Sequence, residues 1–443
     1  MIEYFTDTVL RGPTIGCMLM CLAASLIGVI VFLRKQSLVG ESLSHAAYPG
    51  VVIGVMVAGA LSLTESNDQW VAFFILFGAF ITSILGLWCI HFLTHKFRIR
   101  TDSALCLVLS CFFGIGLTLA SNVQFTFTNL YRQIQSYLYG QAATMTDIHI
   151  FIYGGLSLIV VTCLVLFYKE LQVITFNRDY AISLGIKIDR IDFLIFVLTV
   201  LSIVIGIRSV GVVLMSAMLI APAAAARQYT NKLHVMLILA ALFGAFSGFM
   251  GNYLSVEASN FFSEEYPDYH LSLPTGPMIV MVATLICLFS VLFAPERGLL
   301  LRLTRIAKFR YRCVRENLLK TIWRAGPHQE VSLKDLSQYQ EISIPYLRII
   351  LSGLCRNGWV IKTSSGNYKL TVDGEQWAAR IVRLHRLWEV YLADYLGVGA
   401  ERVHRNAEEI EHILTPELEK ELTVLLKDPQ VDPHHQKIPP RET

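Results

Sequence analysis

Charge is scarce in this chain. Of its 443 residues, 16% are Asp, Glu, Lys or Arg and 54% are hydrophobic, whereas an ordinary soluble domain carries about 25% charged residues. The mean hydropathy of +0.52 excludes a wholly soluble protein and puts much of the chain in a membrane. The length argues for more than one domain. No Gly-x-x-x-x-Gly-Lys-[Ser/Thr] run occurs, so the chain carries no phosphate loop of that kind. The nine cysteines (Cys17, Cys21, Cys89, Cys106, Cys111, Cys163, Cys287, Cys313, Cys355) form no Cys-x-x-Cys pair. Most sit in apolar runs, where free Cys is a small hydrophobe, which argues against structural disulfides and a thiolate zinc site. The start, Met1-Ile2-Glu3-Tyr4-Phe5, lacks the basic n-region of a cleavable signal peptide, so the first apolar run is expected to stay in the mature protein. A net charge of +3 points to no partner by itself.

What the chain has instead is long apolar runs. A spanning helix needs about 20 mostly apolar residues. Candidates lie at 13–33, 43–61, 71–93, 103–120, 149–167, 191–208, 210–228, 233–255 and 276–294. The loops alternate. Arg34-Lys35, His95 to Arg100, Lys169 to Arg190, Arg227 to Lys232 and the residues from Arg297 onward are basic, whereas Glu65 to Asp68, Ser121 to Asp147 and Glu257 to His270 are neutral or acidic. By the positive-inside rule the N-terminus is outside and the chain after 294 is cytoplasmic, which agrees with nine crossings.

Three stretches in this half carry chemistry. Gly40-Glu41-Ser42-Leu43-Ser44-His45-Ala46-Ala47-Tyr48-Pro49-Gly50 places a carboxylate and an imidazole four residues apart, on one helical face. An ionisable residue inside a span is costly unless paired or hydrated, and marks a pathway or a site; a Glu–His hydrogen bond that fixes packing is the plainer alternative. Asn177 to Ile186 is a short amphipathic stretch between two spans, ended by Gly185, which suits a helix C-terminus. It is either a docking helix or an ordinary interfacial one. Val210 to Arg227 is rich in small residues, with Pro222 inside it. Small residues let membrane helices approach closely, so this is a packing element, and Met215 and Met218 within it are core.

Beyond about residue 300 the chain becomes charged and holds six of its twelve histidines. Leu299 to Arg315 is basic and amphipathic, a membrane-surface helix or linker. Ser332 with Asp335 forms an N-terminal helix signature. A turn then leads to Ile344–Cys355, with Ser343 as N-cap and Pro345 in the first turn, at helix–turn–helix spacing. Trp359 to Thr363 and Tyr368 to Thr371 flank Ser364-Ser365-Gly366-Asn367 and predict a two-stranded wing. Ser343, Pro345, Tyr346 and Arg348 are the candidate DNA-contacting residues. After the wing, His385 and Glu389 are i,i+4, and His404, Glu408, Glu411 and His412 share one broad face of a further helix. Several N and O ligands from two helices suit Mn or Fe, although solvated charge pairs have the same spacing.

Over residues 10–295 the order of Ser37 to Gly50, Asp179 to Gly185 and Val210 to Arg227 resembles the metal-permease family of ATP-binding-cassette importers for manganese, zinc and iron. The resemblance implies that the second span lines the translocation path and that Glu41 and His45 contact the ion. It also implies that Asp179, Ala181 and Gly185 belong to a coupling helix facing a separate ATPase subunit, and that an extracytoplasmic binding protein delivers the ion. The family usually has Asp where this chain has Glu41, so the carboxylate reaches one methylene further. Over residues 315–440, Leu370 to Glu375, Arg383 to Glu389, Val403 to Leu414 and Val431-Asp432-Pro433-His434 resemble the diphtheria-toxin-repressor and manganese-regulator family. That resemblance implies a dimeric, metal-activated repressor, with one metal set at His385, Glu389 and His404 and the other at Glu408, Glu411 and His412. Glu408 stands where the iron branch has Cys and the manganese branch Glu. Asn317 stands where an N-terminal helix offers Met or Asp.

The expected fold is an all-α polytopic membrane domain of about nine transmembrane helices, then a soluble winged helix with a helical metal-binding and dimerisation domain. The expected divisions are 1–297 for the permease, 298–314 for the linker, 315–372 for the DNA-binding winged helix and 373–443 for metal sensing and dimerisation. The expected function is a non-enzymatic permease subunit of an importer for Mn2+, Fe2+ or Zn2+ in the bacterial inner membrane, homodimeric in both parts. Its C-terminal domain would repress transcription at an operator, after proteolytic release near 298–315. In the alternative, that domain gates transport and never meets DNA. An ion channel without an ATPase is the third reading, disfavoured by the coupling-helix segment.

Overall fold

The structure, a computed structural model, describes residues 2–61, 68–126, 128–265, 273–326, 329–340, 342–397 and 415–440. These fall into two compact units, Met1–Leu301 and Arg302–Thr443. The first is helical. A short N-terminal helix α1 (Glu3–Thr6) leads to α2 (Arg11–Leu33), α3 (Ser37–Ala60), α4 (Asp68–Lys96), α5 (Thr101–Thr126), α6 (Thr128–Tyr139) and α7 (Asp147–Leu166). Then come α8 (Tyr168–Phe176), α9 (Arg178–Ser183), α10 (Ile188–Val210), α11 (Met215–Arg227), α12 (Leu233–Glu265) and α13 (Thr275–Phe293).

Among the described residues, eight helices (α2, α3, α4, α5, α7, α10, α12 and α13) are long and apolar enough to cross a membrane. The ninth expected span, 210–228, is different: its helix α11 has only 13 residues, or about 20 Å of rise. Its ends are nevertheless bracketed by α13. Val210 lies against Gly276 in the first turn of α13, and Asn231 accepts a hydrogen bond from Arg297, just past the far end of α13. The stretch from 210 to 231 therefore runs the length of a full span, with irregular chain at both ends. Hydropathy cannot separate this from a continuous helix, because the flanking residues are equally apolar. The expected loop 121–147 also contains an amphipathic helix, α6, which period-blind counting of apolar residues passes over.

The core of this unit forms around α2 and α3, which are enclosed by the other helices and buried along most of their length. Alternating small residues make that possible. At the crossing of α3 and α4, a methyl group on Gly50 would lie 2.1 Å from the carbonyl oxygen of Gly78, and one on Gly78 would lie 2.4 Å from that of Gly50. Backbone thus meets backbone, the close approach that small residues allow in membranes. Ser42 and Ser83, both buried, donate to the carbonyls of Leu105 (2.8 Å) and Leu43 (3.4 Å), so hydroxyls inside the bundle join neighbouring helices.

The second unit continues from α14 (Leu299–Ala325) through α15 (Leu333–Gln340) and α16 (Ile344–Arg356) to strands β1 (Val360–Lys362) and β2 (Tyr368–Leu370). The long α17 (Val372–Asp394) follows, and α18 (Pro416–Leu425) closes the described chain. The strands are antiparallel, with Val360 opposite Leu370 and Lys362 opposite Tyr368. Leu318, Leu336, Leu347, Ile350, Leu354 and Val360 form the winged-helix core. Ser332 Oγ accepts the Asp335 N–H at 3.2 Å and starts α15. Ser343 is the N-cap of α16, but its side chain makes no capping bond, and Pro345 sets the first turn instead.

The α3–α4 crossing generates a prediction. Gly78→Ala inserts a methyl between two backbones that cannot step aside individually, and is expected to destabilise the bundle by about 1–3 kcal/mol. Gly155→Ala, where nothing lies within 4 Å of the added methyl, serves as the control. Thermal unfolding of the two purified variants, followed by loss of the monodisperse size-exclusion peak, checks this; equal midpoints would refute it.

Candidate metal centres

In α3 the helix is interrupted chemically at Pro49. Proline has no N–H, so the carbonyl of His45, four residues earlier, loses its helical donor. The imidazole of the same residue is buried (8% exposed). Its ring meets the edge of Phe113 from α5, with centroids 4.5 Å apart and planes at 73°, and Phe113 also packs 5.6 Å from Tyr48. Nδ1 of His45 is buried without a hydrogen-bond partner among the described residues. An unsatisfied buried polar group costs about 1–3 kcal/mol, so an incoming electron-pair acceptor or donor is favoured there. Glu41, one turn earlier, is half-buried. Among the described residues it forms no ion pair with His45, and Ser44 Oγ turns to the Glu41 carbonyl at 2.9 Å. The pair is therefore not closed on itself by a Glu–His hydrogen bond.

At one end of α10, Asp192 receives two guanidinium groups, Arg34 from the end of α2 and Arg178 from α9, each at 2.7 Å. Arg34 is nearly buried and Arg178 exposed. Helix α9 is capped by Asn177, whose Oδ1 accepts the Tyr180 N–H at 3.0 Å, and is terminated by Gly185 at φ +76°. Ala181 is fully buried, whereas Asp179, Tyr180, Ile182 and Leu184 are exposed. This short helix thus anchors by one small residue and presents an acid and three large apolar groups outward.

In the second unit, His385 and Glu389 lie on the buried side of α17, at 2% and 1% exposure, with Nε2 to Oε1 at 3.2 Å. His434 approaches the same carboxylate oxygen at 4.0 Å. Asp432 shapes that approach: its Oδ1 accepts the N–H groups of His434 (2.9 Å) and Gln436 (2.8 Å), and its Oδ2 meets Arg386 Nε at 3.3 Å. Asn317 Oδ1 is buried without a hydrogen-bond partner. Among the described residues, no group of three or more His, Cys, Asp or Glu is arranged to hold a metal ion. His404, Glu408, Glu411 and His412 lie outside the described residues. On α16, Ser343, Pro345, Tyr346 and Arg348 are all exposed, while Leu347, Ile350, Leu351 and Leu354 face the core.

Comparison with known proteins decides the family. Residues 6–294 match the ABC 3 transport family model. The chain belongs to the ABC 3 transport family. Residues 371–440 match the iron dependent repressor, metal binding and dimerisation domain. A probable metal transport system membrane protein of Chlamydia trachomatis is 37% identical over 450 residues, covering 99% of this chain and 97% of its own length. The manganese transport system membrane protein MntC of Bacillus subtilis is 32% identical over 379 residues, 85% of this chain and 82% of its own. The solved structure of PsaBC from Streptococcus pneumoniae in complex with Fab superposes with a TM-score of 0.54 at 26% identity, over 67% of this chain and 95% of that one.

This ABC 3 permease therefore carries α1 to α13 in its transport-family part and His385, Glu389 and His434 in its repressor-type part. Sequence reasoning missed two features. His434 was part of a quoted motif, yet nothing in linear spacing brings it to Glu389; the signal was the Asp-Pro-His run, since Asp before Pro favours a turn. Asp192 was passed over because isolated acids at span ends are common. The structure also ties Glu330 to the wing. Ser365 Oγ (2.6 Å), Asn367 Nδ2 (3.2 Å) and Thr363 Oγ1 (3.1 Å) donate to its carboxylate.

Those donors, Ser365 foremost, hold the Glu330 carboxyl below its ordinary value of 4.5. A depressed folded value means stabilisation that is present above about pH 4.5 and lost as pH falls through the folded value. Hydrogen exchange at the Ser364–Asn367 amides, corrected for intrinsic rates, is expected to rise below about pH 4.5. In Glu330→Gln the same amides should exchange without that pH dependence.

Proposed function

We propose that the chain is the membrane permease subunit of an ATP-driven importer for a divalent transition metal, with a C-terminal unit that senses the same class of ion and represses transcription. The observation that carries the transport reading is His45. Its buried ring nitrogen has no partner, it lies one turn from Glu41, and the helix that holds both is enclosed by the rest of the bundle. The cargo would be Mn2+, Fe2+ or Zn2+: imidazole suits Zn and Fe, and carboxylate suits Mn. Two side-chain ligands plus water bind weakly, which suits passage. The Bacillus subtilis relative is a manganese transport system membrane protein, which supports Mn among these. Energy would come from a separate ATPase docking on Asp179, Ala181 and Gly185 in and beside α9, and a separate extracytoplasmic protein would deliver the ion.

The Arg178–Asp192–Arg34 bridge gives that docking a path inward. Arg34 ends α2 and precedes the turn into α3, so a push on α9 reaches the helix of Glu41 and His45 through a nearly buried ion pair. The basic loops at 34–35, 97–100, 169–190 and 227–232 support an inner-membrane topology with the N-terminus outside and the chain after 293 in the cytoplasm. The segment 210–231 then counts as the ninth crossing.

In the C-terminal unit (residues 315–372 for the winged helix, 373–443 for sensing), His385, Glu389 and His404 would hold one ion, and Glu408, Glu411 and His412 another. The buried His385–Glu389 pair and the unpartnered Asn317 Oδ1 fit such ligands. Bound metal would tie α17 to the following helix. The dimer so stabilised would present Ser343, Pro345, Tyr346 and Arg348 to an operator. Release by cleavage within 298–315 would need α14 to open, because proteases favour exposed flexible chain and these residues lie in a regular helix. That observation favours the second reading, in which the unit stays attached and gates transport in response to metal.

Two measurements test this. Uptake of radioactive Mn2+ or Zn2+ into cells is expected to fall about tenfold or more in His45→Ala, since even outer-shell metal partners are worth 10–100-fold, and to be largely kept in Glu41→Asp. Normal uptake by His45→Ala would leave the pair as packing. The full chain in detergent is expected to shift its own promoter DNA with Mn2+, Fe2+ or Zn2+ but not with chelator, and more weakly as salt rises. Absent or metal-independent binding would favour the gate, and a single full-length band on immunoblots under all metal conditions would count against release.

A further inference from the structure

We infer that a phospholipid with a primary-amine headgroup occupies a cleft between α8 and the start of α10, directly beside α9. The cleft has a volume of about 620 Å³. Phe167, at the α7–α8 junction, and Ile186 close its mouth, where Glu170, Lys187 and Arg190 also lie. Its wall runs down α10 over Phe193, Leu194 and Val197, and Phe193 is 67% exposed on the outside of the bundle.

Three facts fix the occupant. The wall is part of a membrane span, so a soluble partner protein cannot reach it, whereas an acyl chain is already there. From Lys187 to Val197 is ten residues, or about 15 Å of helix rise, which matches the hydrocarbon depth of one leaflet of a roughly 30 Å core. The mouth carries two cations and one acid. Arg34 and Arg178 share Asp192, but Lys187 and Arg190 reach no carboxylate among the described residues. A phosphodiester accepts from both. Glu170, half-buried at the same mouth, then has no cation of its own and accepts from a headgroup ammonium. An anionic headgroup without an amine would satisfy the cations and leave Glu170 facing like charge; a choline would offer it no N–H donor.

The bound lipid would wedge α8 against α10 under α9, at the point where Gly185 turns the chain. The claim rests on the membrane span and the cleft alone and not on which cargo the permease moves.

The test is native mass spectrometry of the full chain in mild detergent, with equal amounts of dioleoyl phosphatidylethanolamine, phosphatidylglycerol and phosphatidylcholine. The wild-type chain is expected to retain one phosphatidylethanolamine in preference to the other two. Lys187→Gln/Arg190→Gln should lower that retention about tenfold, in line with the loss of charge-assisted hydrogen bonds. Glu170→Gln should keep a phospholipid but lose the preference for ethanolamine over glycerol headgroups. All three side chains are at the surface, so the variants are expected to unfold at the wild-type temperature, measured on the same samples. Equal retention of the three lipids by the wild type, or undiminished retention by a folded double variant, overturns the proposal.

Discussion

The backbone-to-backbone crossing of α3 and α4 at Gly50 and Gly78 is the contact on which the membrane unit depends. In lipid no hydrophobic force draws helices together, since acyl chains are as apolar as leucine, and association rests on packing and internal hydrogen bonds. Where two glycines remove the side chains from between two helices, α3 can sink into the bundle and take Glu41, Ser44, His45 and Tyr48 with it. The hydroxyls of Ser42 and Ser83 then find carbonyls on neighbouring helices, and Phe113 from α5 closes over the imidazole. A bulkier crossing would hold α3 nearer to lipid, where a half-buried carboxylate and an unpartnered ring nitrogen would be harder to sustain.

The same economy of polar groups explains the end of the bundle near α9. Asp192 at the start of α10 would be expensive alone. It is offset by two guanidinium groups from different elements, and in meeting that local need it ties α9 to the turn that leads into α3. An electrostatic requirement thereby becomes a mechanical connection between a surface helix and the most enclosed part of the permease. The second unit solves a comparable problem with a buried Glu389 that meets His385 one turn away and His434 from a turn organised by Asp432.

The exposed and buried faces of α16 follow from simple periodicity. Leu347, Ile350, Leu351 and Leu354 point inward at helical spacing and leave Ser343, Pro345, Tyr346 and Arg348 outside. The histidine-bearing face of α17 is less simple, because its ligand-type residues point into the unit. Burying charge-capable groups among Leu387, Val390 and Leu392 is stable only with partners at hand, which is why residues distant in sequence must return to them.

The sequence by itself determined the local and periodic features. These are the eight long apolar runs, the acid–imidazole spacing of Glu41 and His45, the capped stretch Asn177–Gly185, the two helices and wing of the DNA-binding pattern, and the division between an apolar and a charged half. Each depends on neighbours within a turn or two, so composition and period suffice. Only the tertiary structure decided that the 210–228 run is a 13-residue helix with irregular flanks, that Phe113 and not Glu41 is what His45 touches, that Asp192 joins Arg34 to Arg178, and that His434 comes back to Glu389. Those outcomes are set by long-range packing. Which buried polar group finds a partner depends on which helices cross, and hydropathy along one chain carries no information about crossings.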